Sequence, residues 1–98
     1  MYFVARKLYC SQNPPLEMWV AELKEGEVVS LFPFDGERQS MLWYEELFLS
    51  ATKDARCYGD IRKETALCEK MGQSLFLYTT IVPLNGTPTD ETSLVLLE

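Results

Sequence analysis

The chain has 98 residues, 47% of them apolar and 24% charged, with 9 Lys+Arg against 15 Asp+Glu, a net charge of −6 and no histidine. This excludes wholesale disorder and every catalytic or metal site built on imidazole. The basic residues are few and spread along an acidic chain, which argues against a nucleic-acid partner. One globular domain over 1–98 is expected, and surface scaling buries about 65% of the extended chain's surface, enough for one core. No apolar run approaches the ~18 residues of a membrane span. Arg6 and Lys7 interrupt the first apolar stretch too early for a signal-peptide core, so a cytoplasmic protein is expected.

Residues 2–10, YFVARKLYC, read as a first strand. Strict alternation puts Tyr2, Val4, Leu8 and Cys10 on one face and Phe3, Ala5 and Tyr9 on the other, with the charges in the middle. Asn13-Pro14-Pro15 ends it, since proline cannot donate to a ladder. LEMWVAEL, 16–23, is a second strand and VVSLFPF, 28–34, its return, joined by a turn in which Gly26 takes the left-handed conformation. Pro33 places the end of that return strand at an edge or bulge.

MLWYEELFL, 41–49, fits two readings. The lack of β-branched residues and the spacing of Tyr44, Leu47, Phe48 and Ala51 favour a helix capped by Ser40, extending to 52; alternation permits a strand. Residues 60–71 are punctuated as a helix, with Asp60 as cap, Lys70 in the last turn and Gly72 just beyond. Ile61, Thr65, Leu67, Cys68 and Met71 form its apolar stripe. QSLFLYTTIV, 73–82, is a strong strand, 83–88 is turn-rich, and 94–97 is a last strand. The expected fold is mainly β, a β-sandwich or partly open barrel with one short helix near 60–71. The alternative is α+β with a second helix at 41–52.

No cofactor or metal ligand set is expected. The five glycines are scattered and form no phosphate-cradling loop. Cys10, Cys57 and Cys68 form no CxxC and read as reduced thiols, with Cys57 beside Arg56 open to activation. Glu45 and Glu46, set among Trp43, Tyr44, Leu47 and Phe48, are the nearest approach to an acid–base pair. On a strand they would face opposite sides. Asn85-Gly86-Thr87 reads as a turn rather than a glycan acceptor. The charges of 53–70 alternate in sign, as on a solvated surface.

The strands carry apolar residues on both faces, and such a sheet needs cover on both sides. A chain of this size is expected to find part of that cover in a second copy or another protein. The aromatic residues expected at such an interface are Trp19, Phe32, Phe34, Trp43 and Tyr44.

The layout ARKLYCSQNPPLEMWVAELKEGEVVSLFPF, with Glu25-Gly26-Glu27-Val28-Val29 at the turn, resembles the small β-sandwich (composite) domain of metal-dependent amidohydrolases. MLWYEELFLSA lies where that family's chain runs toward its barrel. The family next places a His-x-His metal pair, where this chain has Ser50-Ala51-Thr52-Lys53, so none of its ligands carries over. The resemblance implies the composite domain without the enzyme, as a degenerate relative or companion subunit. The expected function is therefore a non-enzymatic protein-interaction or oligomerisation module. The alternative is a small-molecule-binding domain or enzyme using Glu45, Glu46, Cys57, Tyr58 or lysines in a cleft.

Overall fold

The computed structural model describes residues 1–10, 14–37, 40–62, 74–82, 84 and 86–97. Six strands form one mixed sheet: β1 (Tyr2–Cys10), β2 (Leu16–Lys24), β3 (Glu27–Pro33), β4 (Met41–Ser50), β5 (Phe76–Thr80) and β6 (Leu94–Leu96), in the order β3-β2-β1-β4-β5-β6. One short helix, α1 (Tyr58–Arg62), lies between β4 and β5. Over the described residues the protein is thus mainly β with one short helix. Only the pairing of β1 with β4 is parallel.

The β2–β3 hairpin follows from its turn. Lys24 pairs with Glu27 across a two-residue loop, and Glu25 and Gly26 both take positive φ, 54° and 80°. Two left-handed residues make the type I′ geometry whose twist matches that of the flanking strands. A bulge at Val29 then shifts the β2–β3 register between Glu22 and Leu23.

The sheet curls. The Val28 N–H of β3 donates to the Leu75 carbonyl at the entrance to β5 at 2.8 Å, although β2, β1 and β4 separate those strands in the sheet. The enclosed face holds the inner core of Phe3, Ala5, Leu8, Cys10, Ala21, Leu23, Leu47, Leu49 and Leu77, with Val28 and Leu75 packed against it. Ala5, Cys10 and Ala21 are small, which lets the curl close. Cys10 is buried there as a free thiol.

A second core lies outside. Register aligns Tyr9, Phe48, Tyr78 and Leu96 across β1-β4-β5-β6, and Ala55 with Tyr58 and Ile61 of α1 covers the row. Tyr9 and Phe48 stack at 4.9 Å, and both meet the Tyr58 ring edge-on. The helix thus supplies much of the cover that the outer apolar face requires.

Several expectations are corrected. Of the two readings left open for 41–49, the strand holds and the alternative second helix at 41–52 falls: inserted between β1 and β5, the segment buries Leu47 and Leu49 inward and Phe48 outward, and a helix cannot serve two sheet faces. Ser40 is a turn residue at φ 62° rather than a helix cap. Asp60 sits inside α1, and its carboxylate reaches back to accept the Arg56 and Cys57 N–H groups, the reciprocal half of a capping box. The helix begins at Tyr58, and its expected continuation over 63–71 lies outside the described residues, as do Cys68, Asn85 and Asn13. The strand expected over 73–82 covers Phe76–Thr80.

The faces of β1 also differ from strict alternation. Phe3 and Ala5 point inward, but so do Leu8 and Cys10, while Tyr9 joins the outer core. The phase slips at Arg6–Lys7, where both side chains are exposed. Two adjacent charges both require water, and the apolar series on either side shifts by one residue to allow it.

Candidate interaction surface

The same slip runs across three strands. In β2 the inner series passes from Trp19 to Leu16, leaving Met18 and Glu17 outside. In β4 it passes from Tyr44 to Leu47, leaving Glu45 and Glu46 outside. Lys7 pairs with Glu17 on one side and Glu46 on the other, so a charged row crosses β2-β1-β4. Arg6 reaches Glu45 at 3.8 Å, an exposed pair of little energetic weight. Met18 holds φ 55° within its strand, a left-handed conformation costly for a side chain of this size.

This band divides the outer face. Below it lies the aromatic core of Tyr9, Phe48 and Tyr78. Above it register aligns Phe32, Val20, Val4 and Trp43 across β3-β2-β1-β4. Val4 and Val20 are fully buried, although they belong to neither core cluster. Their cover follows from one contact: the Phe34 and Trp43 rings meet edge-on at 5.1 Å. Strands β3 and β4 are three positions apart in the sheet, roughly 14 Å at ordinary spacing, so the Phe34 and Trp43 side chains lean toward each other and meet over the strands between them. The Phe34 N–H donates to the Met18 carbonyl at 2.8 Å and holds its backbone beside β2.

Two clefts open along the band. The larger, about 640 Å³, is floored by Arg6, Lys7 and Glu17 and walled by Met18 and Trp43. The smaller, about 300 Å³, lies between β4 and β5 and takes in Glu45, Glu46, Thr79, Thr80 and Ile81. Tyr44 and Glu45 border both. Glu45 and Glu46 therefore open onto one cleft, contrary to the expectation that a strand would set them on opposite sides. Burial first, and then neighbouring Glu45, hold the Glu46 carboxyl above the ordinary carboxylate range, with Lys7 pulling the other way. Burial, then Glu46 and then Tyr58, push the Tyr9 phenol up.

The five aromatic residues expected at an interface are placed as follows. Trp19 and Tyr44 pack against the inner core, and Tyr44 meets Phe3 edge-on. Phe32 is half-buried against Tyr2, and Phe34 is half-buried against Trp43. Trp43 is the most exposed of the five, at 50%. Cys57 and Tyr58, of the alternative enzymatic reading, line neither cleft; Cys57 makes a backbone bridge to Ser93, and Tyr58, the first residue of α1, is buried in the outer core.

Sequence reasoning missed Met18, Leu42, Ile81 and Val82, all exposed. The signal for Met18 was available: strict alternation leaves Glu17 and Met18 facing opposite ways, yet an inward Glu17 has no partner in an apolar core. Among the described residues no three acidic or cysteine groups converge on a metal site, and no helix is long and apolar enough to cross a membrane. Comparison with protein-family models, with curated proteins and with solved structures finds no match.

Proposed function

We propose that the protein is a non-enzymatic interaction or oligomerisation module of the cytoplasm, and that it makes contact through the upper outer face around Trp43. The observation that carries this reading is the half-exposed Trp43 ring, held by Phe34 beside exposed Leu42 and Met18. Tryptophan is the side chain most enriched at interface hot spots. A ring already fixed by an edge contact loses little freedom on binding. A companion-subunit role, implied by the resemblance to the amidohydrolase composite domain, is one form this reading takes.

The test compares the wild type with Trp43→Ser and with Val29→Ser, an exposed apolar change on β3. Sedimentation and affinity capture are expected to show self-association or specific capture by the wild type and Val29→Ser, both lost in Trp43→Ser. A strict monomer at micromolar concentration, with captures indistinguishable among all three proteins, overturns the reading.

A further inference from the structure

β4 pairs with β1 from Met41 to Leu49, but with β5 only at Phe48, Leu49 and Ser50. Beyond that point β5 turns away, pairing with β6 through Thr79 and Thr80. The last link between β4 and β5 is a side-chain bond, the Thr79 hydroxyl donating to the Glu46 carbonyl at 3.2 Å. Over Leu42–Glu46 no described strand pairs with the outer edge of β4. The smaller cleft lies in this gap.

Natural sheets protect such edges with bulges, prolines, charged side chains (lysine above all) or short strands. The other two edges here carry these devices. β3 has the bulge at Val29 and ends in Pro33, and β6 is three residues long. The open stretch of β4 reads Leu-Trp-Tyr-Glu-Glu, with no register shift, proline or lysine; its charges, Glu45 and Glu46, sit at one end and leave Leu42–Tyr44 uncharged. Exposed Leu42 and Trp43 flank it on one side and Ile81 and Val82, 69% and 70% exposed, on the other.

Resting on the interaction reading above, we infer that the gap between β4 and β5 accepts an extended, basic segment of a partner protein, added as a strand along Leu42–Glu46. Backbone hydrogen bonds give such an addition its affinity and flanking side chains its specificity. Five residues of edge span roughly 17 Å, a usual length for one strand. Charge selects the occupant. Among the described residues lining the gap, Glu45 and Glu46 are the charged ones; Arg6 and Lys7 line the other cleft, from which Arg6 reaches Glu45 at 3.8 Å as an exposed pair of little weight. A second copy is disfavoured, because pairing β4 with its own counterpart gathers four carboxylates in one ladder between chains that each carry −6. A lysine-bearing strand meets the opposite condition.

The test is an amide NMR titration of the full chain with three capped hexapeptides: Thr-Lys-Val-Lys-Val-Thr, its Glu-for-Lys counterpart, and the lysine peptide N-methylated at alternate backbone positions. The lysine peptide is expected to shift the amides of Leu42–Glu46 and Thr79–Ile81. The Glu peptide should bind at least about tenfold more weakly, the N-methylated peptide should fail, and Glu45→Gln with Glu46→Gln should erase the preference for lysine. Equal binding of lysine and Glu peptides, equal binding after N-methylation, shifts confined to other residues, or no shift at millimolar peptide each overturn the inference. If the peptides fail while Trp43→Ser still abolishes capture or self-association, strand addition falls and the interaction reading stands. If both fail, neither stands.

Discussion

The Tyr78 hydroxyl donates to the Thr52 carbonyl at 2.6 Å and accepts the Ala55 N–H at 3.3 Å, so one side chain of β5 fixes the run that carries β4 into α1. Its ring meanwhile fills the outer core between Phe48 and Leu96. Tyr78→Phe keeps the ring and strands both backbone groups. It should cost about 1–3 kcal/mol in urea unfolding, with an unchanged fold by circular dichroism. Gly59 is constrained differently. A Cβ there would lie 3.0 Å from the Asp90 carbonyl oxygen, while the Gly59 N–H donates to that same oxygen at 2.9 Å. These roles were not legible in the sequence, because Tyr78 looks like any strand aromatic until its partners, 26 and 23 residues away, are known.

At the scale of elements, the hairpin was the most legible part, because the Glu25-Gly26 turn is specified by local backbone chemistry. The short helix is specified in part by Asp60, whose carboxylate collects two N–H groups at its start. Asp60→Ala should lower stability by about 0.5–2 kcal/mol, measured by thermal unfolding, with Asp60→Asn falling between. β4 was ambiguous for a physical reason. A strand buried on both faces loses its alternation, and a continuous apolar run has no period to read. What decides it is position, with β1 on one side and β5 on the other. The face slip in β1, β2 and β4 was also beyond strict alternation, although the paired charges Arg6-Lys7 and Glu45-Glu46 mark where it occurs.

At the scale of the molecule, the charged band makes stability depend on pH. Glu46 is held above its usual value of 4.5, chiefly by burial and then by Glu45, so the folded chain favours its protonated form. That contribution is complete below the ordinary carboxylate value and is lost as pH rises through the elevated native one. Glu46→Gln keeps a neutral group at every pH. Its stability relative to the wild type should therefore be near parity at about pH 4 and higher at pH 7, read by urea midpoints at both. A difference that is largest in acid would reverse the sign and remove burial as the cause.

The amino-acid sequence by itself determined the mainly-β class, the hairpin and the exclusion of imidazole chemistry, since each depends on composition or on neighbours within a few residues. Tertiary structure alone decided that 41–50 is a strand, that the sheet curls until Val28 meets Leu75, and that the Phe34 and Trp43 rings meet. It also decided where the second apolar face is covered and where it stays open. These are long-range pairings, and which pairing wins depends on the burial that the whole sheet achieves together, a quantity no local window of sequence contains.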